Sequence, residues 1–323
     1  MVALFSLPRN LEYYETAIRK QLADSFIYLF DFLKISSGES SDLVEAIRYS
    51  IETRRQSPVV FARYLDLVEL VKANEEERAL ELFEEISNLC RCNAAFEIAP
   101  FSREELGNDY LRFPQILFTD DYGSQPIIAA PSVKFESIRN NLEFGLDLLS
   151  RISPALRSEI ELLWTRIYVG ELNPEANGRN FAGVTSFLLW GATFINADAY
   201  RTVEQAVEFL VHESTHSLLS ALSCEEPLVL NRIEERYPSP LRSDPRPMDG
   251  IYHATLVSAR IAWTLNTWLN SDETVDQETV RSMRDSSRRA FSDGSHTIRD
   301  HAQMSSLGCE LLSQASHAMD EIV

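Results

Sequence analysis

No apolar stretch in the chain approaches the ~18 uninterrupted residues that a membrane-spanning helix needs, so no transmembrane segment is expected. Cysteine is scarce. Cys90, Cys92, Cys224 and Cys309 are too few and too scattered for a disulfide framework, and Cys90-Arg91-Cys92 has no second pair to complete a zinc ribbon. They read as reduced thiols. Positive charge is also short, with 30 basic against 49 acidic residues and a net charge of −19. This balance argues against nucleic acid or an anionic membrane as partner and suits a neutral or cationic one, such as a basic peptide. No basic-then-apolar signal opens the chain, and the expected compartment is the cytoplasm. Histidine is missing from the first 211 residues; all six (212, 216, 253, 296, 301, 317) come later.

What is present is ordinary globular material, 45% hydrophobic and 24% charged over 323 residues, enough for one large domain or two. Helical spacing of apolar residues predicts helices over 11–33, 42–51, 58–70 and 75–89, with Ser36 to Ser41 as a loop. The aromatic residues Tyr13, Tyr14, Phe26 and Phe30 fall at core spacing, and the Glu-rich 75–89 segment presents a solvated face. Prolines 100, 114, 126 and 131 with Gly123 make residues 93–135 a connector, with short strands at 116–118 and 127–128. Helix is expected again from Phe135 to about Val169, broken at Pro154. Gly183 to Asn196, rich in β-branched and aromatic residues, predicts one strand kinked at Gly191, which either offers its edge to an extended peptide or only covers the core.

The chemistry concentrates in Val211-His212-Glu213-Ser214-Thr215-His216. Residues four apart share a helix face, so His212 and His216 can offer two imidazoles to one metal ion, with Glu213 beside them. Thr202 and Gln205 form a candidate capping box, which starts this helix near Val203, and Val207, Leu210, Val211, Leu218 and Leu222 give it a buried face. Next comes a proline-rich loop, 237–250, that presents Arg242 and Arg246 from a stiff backbone; guanidinium groups grip carboxylates through paired donors. The alternative is a surface loop of salt-bridging arginines. A helix over 249–269 then carries Asp249, His253 and Arg260 on one face. His253 is the leading third ligand, with Asp249 and the acids Glu225, Glu226, Glu234 and Glu235 as alternatives. His296, His301 and His317 lie in a polar tail, helical from about 295 to 322, and read as surface residues.

Together these elements predict a predominantly helical α+β fold. Residues 1–130 form a helical portion available for peptide recognition. Residues 131–323 carry the metal site on a core HExxH helix preceded by a small sheet or single strands.

The HExxH helix, the following Pro-Leu-Arg-x-Asp-Pro-Arg-Pro loop and the Gly-led helix resemble the HEXXH-motif peptide-modification family found beside ribosomally made peptide precursors. The resemblance covers about residues 180–270. It implies iron(II)- and 2-oxoglutarate-dependent β-hydroxylation of a peptide side chain, with His212 and His216 as iron ligands. By the same resemblance Arg242, Arg246 or Arg260 would bind the 2-oxoglutarate carboxylate. Some members carry a His at the position of Ser258, which leaves the third ligand open. The competing reading is a zinc metallopeptidase, in which Glu213 would be general base to a zinc-bound water of pKa about 7. The segment after His216 lacks the Gly and His of a metzincin continuation. A third reading is a non-catalytic peptide-binding protein with a vestigial site.

Overall fold

The structure, a computed structural model, describes residue 5 and residues 11–33, 38–118, 127–174, 181–239, 244–274 and 276–322. Four helices come first: α1 (Leu11–Phe32), α2 (Gly38–Thr53), α3 (Pro58–Lys72) and α4 (Glu76–Cys90). Strand β1 (Glu97–Pro100), helices α5 (Arg103–Leu106) and α6 (Asp109–Leu117) and strand β2 (Ile127–Ala129) follow. Helices α7 (Ser132–Ile152) and α8 (Pro154–Leu163) lead to β3 (Arg166–Leu172), β4 (Gly183–Thr185) and β5 (Ala192–Asn196). The remainder is helical: α9 (Val203–Leu222), α10 (Met248–Leu269), α11 (Gln277–His301) and α12 (Ser306–Asp320). The fold is therefore α+β, mostly helical with a small mixed sheet. No described helix is long and apolar enough to cross a membrane.

The chain divides into two compact units that interleave along the sequence. One contains residues 12–139 and 161–200. Its sheet runs β1-β3-β5-β4, with β1 and β5 parallel to β3, β4 antiparallel to β5, and β2 antiparallel to β3. Burial is complete along β5, which is paired on both edges. The core beneath it is aromatic: Phe101 stacks on Tyr110 at 4.9 Å and Tyr168 on Phe194 at 5.2 Å between ring centroids.

The other unit contains residues 1–11, 140–160 and 201–323. Here α10 packs against α9, α11 and α12. Its approach to α11 depends on Gly294, where any Cβ would overlap the Thr255 hydroxyl. Tyr252, buried on α10, donates to the Gly308 carbonyl at 2.7 Å and so fixes α12.

Several expectations need correction. Gly183–Asn196 is two antiparallel strands, because Ser186 caps a short 3₁₀ turn and Gly191 (φ +87°) reverses the chain where a left-handed residue is required. Residues 116 and 117 end α6 instead of forming a strand; Pro114 lies within that helix, where its buried ring packs in the core. Residues 166–169 are strand because both neighbours β1 and β5 pair there. The C-terminal helix is two helices, the first starting at Gln277 behind the Asp276 cap. Of the proposed loop at 36–41, Ser36 and Ser37 lie outside the described residues and Gly38 onward is helix. Tyr13 is exposed, whereas Phe26 and Phe30 are core. Gly123 and Pro126 also lie outside the described residues.

Candidate metal centre

Helix α9 begins where its capping box dictates. Thr202 Oγ1 accepts from Gln205 N, and the Gln205 carboxamide accepts from Thr202 N in return. Such a cap stabilises a helix by about 1 kcal/mol. Its apolar residues are buried nearly throughout, and Ser214 and Thr215 dispose of their hydroxyls on the Val211 carbonyl at 3.3 and 2.6 Å. What remains accessible on this helix includes the stripe at four-residue intervals, Glu208, His212 and His216.

The His212 and His216 ring centroids are 5.0 Å apart, and His216 and His253 are 5.8 Å apart with rings inclined by only 22°. Two imidazoles sharing an ion at the usual metal–nitrogen distance of ~2.0–2.1 Å have centroids roughly 5 Å apart. The first pair meets that spacing as it stands. His253 lies nearly parallel to His216, with Nε2 3.7 Å from Asp249 Oδ1. Among the described residues no three His, Cys, Asp or Glu side chains already surround a single point. The donor chemistry suits a metal: burial first, then the neighbouring His212 and His253, hold His216 well below the ordinary imidazole pKa. Burial likewise lowers His253, against an upward pull from Asp249. Neutral imidazoles are the form that binds a metal ion.

His212 and His216 open on a cavity of about 440 Å³, within the range of small-molecule sites. Arg246 and Glu208 also line it, with Ser258, Ser286 and Ser287. Arg246 stands at the base of the proline loop, where Tyr237 and Arg246 exchange backbone hydrogen bonds of 2.9 Å. Asn231 anchors that base by bonding the Tyr237 hydroxyl and the His301 carbonyl, each at 3.0 Å. The Arg246 guanidinium pairs with Asp244 at 3.0 Å. Arg242, in the same loop, lies outside the described residues.

Two residues singled out by the sequence stand elsewhere. Glu213 is 4% exposed and is not in the cavity lining. Arg260 extends both Nη atoms to Glu159 at 2.8 Å, and Nη1 also reaches Thr215 Oγ1 at 3.2 Å. This buried network ties α10 to α8 and to the HExxH helix. Burial drives the Glu159 carboxyl above its ordinary pKa, opposed by Arg260. His296, His301 and His317 are exposed, as expected. Glu208 escaped the sequence reading although its signal was present, one turn before His212. Glu159 had no comparable signal, being one of two acids on a different helix.

Compared with known protein families and with curated proteins, the chain matches none.

Proposed function

We propose that the protein is an iron(II)- and 2-oxoglutarate-dependent oxygenase that hydroxylates a side-chain β-carbon of a ribosomally synthesised precursor peptide. The observation that carries this reading is the juxtaposition of three imidazoles, two of them on a cavity whose wall also bears Arg246. Bound iron would supply the redox chemistry by which a C–H group, 2-oxoglutarate and O₂ become an alcohol, succinate and CO₂. His212 and His216 would each give a neutral nitrogen, and His253 would complete the set. Arg246 would receive a carboxylate of the 2-oxo acid through its paired N–H donors. The two-way Tyr237–Arg246 bridge lowers the entropic cost of aiming that guanidinium. Arg260 is committed to Glu159, which leaves Arg246 as the described arginine that faces the cavity.

The zinc-peptidase alternative needs Glu213 to meet a water beside the metal. A Glu213 carboxyl buried away from the cavity lining favours the oxygenase. A cytoplasmic setting accords with four free thiols.

The test is anaerobic loading with iron(II), followed by 2-oxoglutarate and then air. One iron per chain, a charge-transfer band on adding the oxo acid, and its conversion to succinate on aeration are expected. Failure of the iron-loaded protein to bind 2-oxoglutarate overturns the reading.

A further inference from the structure

Glu208 lies one helical turn before His212 on the same face of α9, and both line the cavity. Its carboxylate is half-buried, yet among the described residues no hydrogen bond or salt bridge satisfies it. Burial raises its pKa, and His212 offsets this only in part. Carboxylates taken from water are normally paired, because the lost hydration is recovered only from a cation or strong donors. Arg246, the arginine of the lining, pairs with Asp244. Between the serines of that wall, Ala254, Val257 and Ile261 supply apolar surface. A cavity that offers apolar surface and a lone carboxylate matches a side chain with a methylene stem and a charged tip.

We propose that Glu208 is a specificity residue that receives the cationic end of a lysine- or arginine-type side chain entering the cavity beside His212 and His216. Facing Cβ atoms one turn apart on a helix are separated by about 5–6 Å. The stem of a lysine or arginine spans a comparable distance from β-carbon to charge. With its tip at Glu208, such a side chain would direct its β-carbon toward the imidazole pair, one helical turn along α9. A net charge of −19 favours approach of such a substrate. The substrate assignment rests on the oxygenase reading; the charge preference of the cavity does not.

The test compares binding of N-acetyl-lysine amide and N-acetyl-arginine amide with their neutral counterparts, N-acetyl-norleucine amide and N-acetyl-citrulline amide, to the full-length protein by calorimetry. The basic amides are expected to bind about tenfold more tightly, the effect of one charge-assisted contact. Glu208→Gln should erase the preference, Glu208→Asp should retain part of it, and iron stoichiometry should be unchanged in both. Equal binding of charged and neutral amides by the wild type overturns the proposal, as does a preference that survives in Glu208→Gln. Loss of stoichiometric iron in Glu208→Gln also overturns it, by making Glu208 a ligand. A Glu208-dependent preference in a protein that never binds 2-oxoglutarate upholds the pocket and removes only the oxygenase.

Discussion

Arg260 and Glu159 stand 101 residues apart in sequence and are joined by two N–H···O bonds of 2.8 Å, with side chains only 5% and 1% exposed. Through Thr215 the same guanidinium touches the HExxH helix between its two histidines. Removing one partner strands a buried charge, which costs about 3–5 kcal/mol, whereas replacing both by apolar residues of similar volume is close to neutral. Glu159→Gln is therefore expected to lower the urea midpoint sharply, and Glu159→Met with Arg260→Leu to recover most of it. Circular dichroism during urea unfolding would measure both; a single variant as stable as wild type would refute the clamp.

Acid should destabilise the metal-free protein through its buried imidazoles. His216 and His253 have folded pKa values below the ordinary ~6.5, so the unfolded chain takes up protons first as pH falls. Their contribution is complete above about pH 6.5 and is lost as pH drops through the depressed values, by up to about 1.4 kcal/mol per pH unit for each ring. Glu208, whose pKa is raised, acts in the opposite direction. The informative quantity is thus the difference between wild type and His216→Leu, whose stability should fall less steeply between pH 6.5 and 5. Parallel slopes after chelator treatment would contradict it.

Arg246→Met is predicted to weaken 2-oxoglutarate binding to the iron-loaded protein about 10- to 100-fold, the equivalent of a charge-assisted hydrogen bond of ~1.5–3 kcal/mol. Iron binding should not change, since Arg246 contributes no ligand. Calorimetric titration with the oxo acid separates the two, and undiminished affinity would exclude Arg246 as its anchor.

At Gly294 a new methyl group would drive α11 off α10, because Thr255 already fills that space. Overpacking of this kind costs about 1–3 kcal/mol. Gly294→Ala should lower the thermal midpoint, and adding Thr255→Ala should restore part of the loss, since the nearest overlap is with the hydroxyl. No change in the single variant would show that the helices separate freely.

Local signals were readable wherever the physics is local. The capping box at Thr202 and Gln205 placed the start of α9 near Val203, where it lies, since it depends on groups three positions apart. The four-residue spacing of His212 and His216 likewise gave their shared face. Gly191 betrayed a bend but not its kind; its positive φ belongs to a reversal that turns one expected strand into two. Residues 166–169 looked helical because a strand buried among parallel neighbours lacks the alternation that marks an exposed one.

By itself the sequence determined the paired imidazoles, the helix that holds them, the predominance of helix and the absence of a membrane-crossing helix among the described residues. Each follows from residue type and spacing within a few turns of chain. Only tertiary structure decided that Arg260 would be spent on Glu159, that Glu213 would turn inward, and that Glu208 and Arg246 would share a cavity with the histidines. Those outcomes depend on how α8, α9, α10 and the proline loop meet in space. No spacing rule within a single segment encodes such a meeting, because burial and pairing are set by the neighbours that packing supplies.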